Sequence, residues 1–227
     1  MSKRESSSSR SIVLWRHGRT EWNAQQRFQG QTDIPLDEVG LEQAVRAAEQ
    51  LALLHPDLII SSDLMRARIT AEQLAIRSGL PVTENADLRE TFAGEWEGLD
   101  RPTLLERHSE ELARWSAMSD VRPGGGETRI EVADRMVRAI RAALAGVRPG
   151  GTLVVVTHGG AARAAIGALL ELPTDSWACL GVLSNCAWSV LTENATEYGP
   201  AWRLQEYNAG SLPEAIPPSG VWPADDR

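Results

Sequence analysis

Lysine is almost absent from this chain. Lys3 is the single lysine among 23 basic residues, so nearly all positive charge is carried by arginine. Arginine presents a planar fork of donors that suits phosphate or carboxylate. Positive charge is also in deficit: 31 acidic residues leave a net charge of -8. That balance argues against nucleic acid and against membrane surfaces as partners, because both need a basic face. Cysteine is limited to Cys179 and Cys186, which excludes a disulfide framework and a cysteine-based metal site. Two thiols expected in apolar surroundings fit a reducing cytoplasm. Nor is there a long apolar run. After residues 1–10 the first apolar stretch spans five residues at most, too short for a signal-peptide core or a membrane span. Histidine numbers only four, and two of the four, His17 and His158, stand one residue beyond an apolar run and are followed by glycine.

Residues 12–15, 58–60 and 153–156 are short apolar runs with little polar alternation, expected as strands buried on both faces. Helical spacing lies between them. Leu41, Ala44, Val45, Ala48 and Leu51 define one amphipathic helix, and Ile130, Ala133, Val137, Ile140 and Leu144 define another. Residues 64–76 and 161–170 are further helices by the same reading. Strands alternating with helices imply parallel pairing in an α/β fold. Residues 187–191 and 202–204, with Tyr198-Gly199-Pro200 between them, are expected to add an antiparallel edge hairpin. One domain over 11–210 is expected, flanked by a serine-rich N-terminal tail (1–10) and a proline-rich C-terminal tail (211–227), both lacking fixed structure.

The chemistry gathers at strand ends. Arg16-His17-Gly18 follows the first strand, Ser61-Ser62-Asp63-Leu64-Met65-Arg66 the second, and Thr157-His158-Gly159-Gly160 the strand at 153–156. In parallel α/β sheets ligands bind beyond the carboxyl ends of the strands. Helix N-termini there offer free backbone N–H groups to anions. Arg16, Arg66, His17 and His158 are therefore expected to converge with those N–H groups, Gly159 included, on a phosphate pocket. Gln29 and Gly30, in the stretch Gln29-Gly30-Gln31-Thr32, are candidates for its mouth. Trp22 and Trp96 flank these motifs and are weaker candidates. No metal-ligand spacing appears, and no cofactor is expected.

In these segments the chain resembles the histidine phosphatase superfamily, whose phosphoglycerate mutase branch is the best-known part. The resemblance runs from about Ser11 to Asn208. It rests on Arg16-His17-Gly18 with Thr20 and Asn23, on Ser62-Asp63-Leu64 with Arg66-Ala67, on Leu88-Arg89-Glu90 ahead of Gly94-Glu95-Trp96-Glu97-Gly98, and on Thr157-His158-Gly159-Gly160. It implies a phosphoglycerate mutase-like three-layer sandwich, with a mostly parallel central sheet and helices on both faces. It also implies roles. His17 would be the nucleophile that forms a phosphohistidine through Nε2. Arg16, Asn23, Arg66 and His158 would hold the phosphoryl oxygens, and Glu90 would act as acid and then base.

A mutase must exclude water from the phosphohistidine, whereas a phosphatase must admit it. Mutases of this superfamily carry a long insertion after the acidic motif and a lysine-rich C-terminal lid. Here only residues 99–123 separate Gly98 from Gly124, and no lysine follows Lys3. A metal-independent phosphomonoester hydrolase is therefore the expectation. Within that branch, Gly124-Gly125-Gly126-Glu127-Thr128, Leu170-Glu171-Leu172-Pro173 with Trp177, Asn185 with Trp188, and Trp202-Arg203-Leu204 resemble the actinobacterial glucosyl-3-phosphoglycerate phosphatases. A small phosphorylated metabolite is the implied substrate, and a homodimer is implied by the same analogy. A cofactor-dependent phosphoglycerate mutase, a ribazole or broad-specificity acid phosphatase, and a non-catalytic phospholigand-binding module stand as alternatives.

Overall fold

The computed structural model describes residues 9–194 and 201–210. The expected turn at Tyr198-Gly199-Pro200, residues 1–8 of the expected N-terminal tail, and the whole expected tail 211–227 lie outside the described residues. Arg10, the last position of that N-terminal tail, donates to the Glu193 carboxylate and to Leu144 O, so fixed contacts begin there.

Six strands make one sheet in the order β3-β2-β4-β1-β5-β6. These are β1 (Ser11–Arg16), β2 (Leu58–Ser61), β3 (Val82–Glu84), β4 (Thr152–Thr157), β5 (Trp188–Glu193) and β6 (Trp202–Ala209). Strands β1 to β4 run parallel, and β5 and β6 form the antiparallel edge hairpin. Side chains alternate across the central strands, as the pleat requires. Ile12, Leu14, Leu153 and Val155 meet helices α6 (Arg129–Leu144) and α7 (Gly159–Leu169) on one face. Val13, Trp15, Ile59, Val154 and Val156 meet α2 (Glu38–Ala52) and α3 (Met65–Ser78) on the other. The result is the three-layer α/β sandwich. Burying each aliphatic side chain of this core contributes roughly 1.5–3 kcal/mol.

Two helix faces differ from their sequence reading. Leu41 is 43% exposed on α2 and Ile130 is 41% exposed on α6. The buried stripe of α2 is made instead by Ala44, Ala47, Ala48 and Leu51, with Gln43 beside them. On α6, Arg129 and Arg135 take buried positions among Val132, Ala133, Met136 and Ile140. Periodicity counted only apolar letters and so rotated each stripe slightly. Cys179 is also corrected: it is exposed, whereas Cys186 is buried.

Residues 93–121 form a smaller lobe beside the sandwich. It holds the short helices α4 (Arg101–Arg107) and α5 (Ser109–Ser116), and Trp96, Leu104, Leu112 and Trp115 pack together as its core. Trp96 is fully buried there and takes edge-on contact from Phe28 at 5.5 Å between centroids. It is packing, not a substrate contact. Trp22, on the four-residue helix α1 (Glu21–Ala24), lies against Gly98.

Candidate active site

Three parallel strands end on one side of the sheet, and each delivers a piece of the site. His17 follows β1, Ser62 follows β2, and His158 follows β4. The His17 N–H donates to Thr157 O at 3.0 Å, and Ser62 N–H donates to Val156 O at 2.9 Å, which locks the three strand ends together. Gly18 is needed by close approach. A Cβ there would stand 2.3 Å from Gly40 O at the start of α2.

His17 is 2% exposed, and its Nδ1 lies 2.7 Å from Gly18 O. A carbonyl can only accept, so Nδ1 carries the proton and Nε2 keeps its lone pair. Burial holds this imidazole well below the ordinary histidine value, reinforced by the charges of Arg66 and Arg16. The ring of His158 lies 5.1 Å away, tilted by 59°. Burial, Arg66 and His17 in turn hold His158 low as well. Both rings are therefore held in the neutral form, and His17 Nε2 keeps its lone pair.

Arg66, in the first turn of α3, is fully buried. Its Nε donates to His158 Nδ1 at 3.2 Å, Nη1 to Thr32 O at 2.8 Å and Nη2 to Gly30 O at 2.7 Å. Burial pulls its own pKa down to about 10. Because His158 Nδ1 accepts from Arg66, its Nε2–H donates to Ser62 Oγ at 2.9 Å. The resemblance implies that His158 holds phosphoryl oxygens; in the folded chain its ring nitrogens meet Arg66 and Ser62.

Glu90 arrives from the other side. His158, the N-cap residue of α7, makes no side-chain cap bond. Glu90 supplies it from a distant segment: Oε2 accepts from Gly160 N–H at 2.9 Å and Oε1 from Ala161 N–H at 2.8 Å. Helix N-termini attract carboxylates through just these free donors. A side chain at Gly160 would collide with the Glu90 carboxyl group, and one at Gly159 would crowd Arg16 and Val182.

Arg16, His17, Gln29, Gly30, Arg66 and Glu90 line one cleft. Asn23, His158 and Gly159 lie just outside its lining. Asn23 Oδ1 accepts from Thr20 N–H and from Asn185 Nδ2, so its oxygen serves the cap of α1. The rival acids separate clearly. Glu21 and Glu95 are exposed. Glu97 accepts from Gln31 N–H, Thr32 Oγ1 and Ala93 N–H, and so fixes the loop whose carbonyls hold Arg66. Among the described residues no group of three or more His, Cys, Asp or Glu side chains forms a metal-binding cluster.

Sequence reasoning missed the second layer of support. Arg135 donates to Asp87 O, Arg89 O and Glu90 O and pairs with Glu127 at 2.8 Å. Glu127 also accepts from Phe92 N–H at 2.8 Å. This pair fixes the backbone on both sides of Glu90. The only sequence signal was an arginine lying off the apolar stripe of a core helix.

The two low histidines predict an acid-sensitive fold. Once unfolded, each takes up a proton near pH 6.5, whereas in the folded state it stays neutral. Stability is therefore unaffected by them above that pH and falls as pH drops below it, by up to about 1.4 kcal/mol per pH unit for each ring. The lowered Asp63 and Glu193 carboxyls act only at still lower pH. The urea midpoint should drop between pH 7.5 and pH 5.5; an unchanged midpoint would contradict neutral burial of the pair.

Comparison with known proteins agrees with this geometry. Residues 12–209 match the family described as histidine phosphatase superfamily (branch 1). A glucosyl-3-phosphoglycerate phosphatase of Mycolicibacterium vanbaalenii is 39% identical over 218 residues, covering 89% of this chain and 96% of that protein. A metal-independent phosphoserine phosphatase of Arabidopsis thaliana is 43% identical over 157 residues, covering 67% of this chain and 66% of that one. A mycobacterial glucosyl-3-phosphoglycerate phosphatase solved with VO3 superimposes with a TM-score of 0.83 at 38% identity, covering 88% of this chain and all of that one. A bare imidazole nitrogen at the end of β1, a buried arginine fork and a helix-capping carboxylate thus sit in a chain that belongs to the histidine phosphatase superfamily.

Proposed function

We propose that this phosphoric monoester hydrolase acts on glucosyl-3-phosphoglycerate or a closely similar small phosphorylated metabolite, through a phosphohistidine at His17. The observation that carries the reading is the His17 ring, neutral and buried, with its proton held by Gly18 O and Nε2 left as the lone pair in the cleft. Nε2 attacks phosphorus while the P–O ester bond breaks, and a protonated Glu90 gives its proton to the departing alkoxide. Arg16 and Arg66 hold the phosphoryl oxygens and offset the charge that develops there, with Gln29 and the backbone at Gly30 beside them. Glu90, now a carboxylate, takes a proton from water as its oxygen attacks phosphorus. The P–N bond breaks, His17 regains its lone pair and inorganic phosphate leaves. Asn23 and His158 serve by positioning, the first through Thr20 and Asn185, the second through Arg66.

The short segment between Gly98 and Gly124 supports hydrolysis over phosphoryl return, since it supplies little chain to cover the site and exclude water. The chain acts in the cytoplasm, where an exposed free thiol at Cys179 persists, and binds neither nucleic acid nor membrane. It forms a homodimer through the hairpin, where β6 is the last strand of the sheet among the described residues. No helix among the described residues is long and apolar enough to cross a membrane.

Phosphorus NMR of the protein mixed with glucosyl-3-phosphoglycerate or 3-phosphoglycerate, without added metal, tests the reading. Inorganic phosphate should grow from the glucosyl compound faster than from a generic aryl phosphate. A 2-phosphoglycerate signal would instead assign a mutase, and the absence of any conversion would leave a binding module.

A further inference from the structure

Glu90 reaches the cleft from a segment with little regular structure of its own. One 3-10 turn spans Ala86–Leu88, and residues 89–93 belong to no helix or strand. Side chains from three other parts of the chain take up its carbonyls instead. Arg135 Nη1 donates to Asp87 O at 2.8 Å and to Arg89 O at 2.6 Å, and Nη2 donates to Glu90 O at 2.8 Å. Thr157 Oγ1, at the end of β4, donates to Leu88 O at 2.8 Å. Gln31 Nε2 adds a bond to Glu90 O at 3.1 Å. Four consecutive carbonyls are thus gripped.

Pairing buried carbonyls needs only some donor at each of them. One planar guanidinium that takes three of the four also fixes where they stand relative to one another. Arg135 is itself held. Its Nε donates to Glu127 Oε1 at 2.8 Å and its Nη2 to Glu127 Oε2 at 2.9 Å. Glu127 then grips Phe92 from both sides, accepting from its N–H and donating to its O, each at 2.8 Å. Every nitrogen of this buried guanidinium is engaged within the protein. Arg135 therefore acts on the chain rather than on a ligand. It stands on α6, a helix packed against the sheet, so the grip is anchored to a rigid element.

We propose that Arg135, braced by Glu127, is a positioning residue for the proton-transfer step. It sets the backbone from Asp87 to Glu90 so that the Glu90 carboxyl meets the leaving oxygen of the substrate. Proton transfer needs hydrogen-bond reach, and a small misplacement of the acid is felt directly in its rate. The inference rests on the reading of Glu90 as proton donor and adds to it the groups that aim this side chain.

First-turnover rates on two esters, followed by rapid quenching, test it. One is 4-nitrophenyl phosphate, whose leaving group needs no proton. The other is glucosyl-3-phosphoglycerate or 3-phosphoglycerate, whichever the wild type turns over faster. Arg135→Met should slow the alkyl ester by about 10–100-fold, the loss that a misplaced group brings, and leave nitrophenol release close to wild type. Arg135→Lys should recover part of the alkyl rate. In a Glu90→Gln background Arg135→Met should cost the alkyl ester nothing further, because both changes remove the same step. Glu127→Gln keeps the shape of the pair and should give the same pattern more weakly, which serves if Arg135→Met does not fold. Equal slowing of both esters in these variants, or losses that add to that of Glu90→Gln, overturn the proposal and leave the acid reading standing. Glu90→Gln slowing both esters equally, or a wild type that transfers from neither alkyl ester, removes the acid reading and the proposal with it.

Discussion

His17→Ala is expected to lower kcat by about 10⁶-fold, in line with removal of a nucleophile from other covalent enzymes, while inorganic phosphate still binds. The reason lies in how much of the chemistry one ring carries. Its Nε2 forms the bond to phosphorus, and its Nδ1–H, held by Gly18 O at 2.7 Å, settles the charge the phosphorylated ring acquires. No neighbouring side chain can substitute, since the ring of His158 has both nitrogens committed to Arg66 and Ser62. The arginines remain, so affinity for phosphate persists. Rapid quenching with labelled substrate should trap an acid-labile protein-bound phosphoryl group in the wild type and none in the variant. Residual turnover above a hundredth of wild type would remove His17 from the mechanism. The same variant should lose part of the drop in urea midpoint between pH 7.5 and pH 5.5, because one of the two neutral rings is gone.

Glu90→Gln is expected to slow the first turnover in a way that depends on the leaving group. For an alkyl phosphate the departing alkoxide needs a proton, and losing the acid should cost about 10²–10⁴-fold. A nitrophenolate leaves without one, so the first equivalent of nitrophenol should appear at close to the wild-type rate. Release of phosphate then needs the base, so a burst followed by a slow phase should be seen. Equal slowing of both substrates in the first turnover would assign the acid elsewhere. The glutamine keeps one acceptor for the α7 donors Gly160 and Ala161, which Glu90 serves with two oxygens. A stability loss of about 1 kcal/mol should accompany the kinetic effect.

Much of this site was legible because its chemistry sits where apolar runs stop. His17 and His158 could be placed on one side of a sheet from the sequence alone, since parallel strands buried on both faces announce themselves as unbroken apolar letters. Glu90 was legible only through its family motif; nothing in the sequence says that it caps a helix 70 residues away. Arg135, Arg129 and Arg163 were invisible for a different reason. Each is a charged residue buried within a helix, and amphipathic reading sends charged residues to solvent. The exposed Leu41 and Ile130 are the converse of the same error. Trp115 lay in a region with no strong periodicity, and only the packing of the small lobe turns it toward the cleft.

Arg66 is hydrogen-bonded to three neutral acceptors, and Glu90, Asp33 and Glu97 pull on its charge only through space. That has a consequence for the end of the catalytic cycle. The departing inorganic phosphate meets the same cation that drew the substrate in, and among the described residues no carboxylate is bonded to it in phosphate's place. Inorganic phosphate is therefore expected to compete with substrate for Arg66, so that turnover measured in added phosphate should fall.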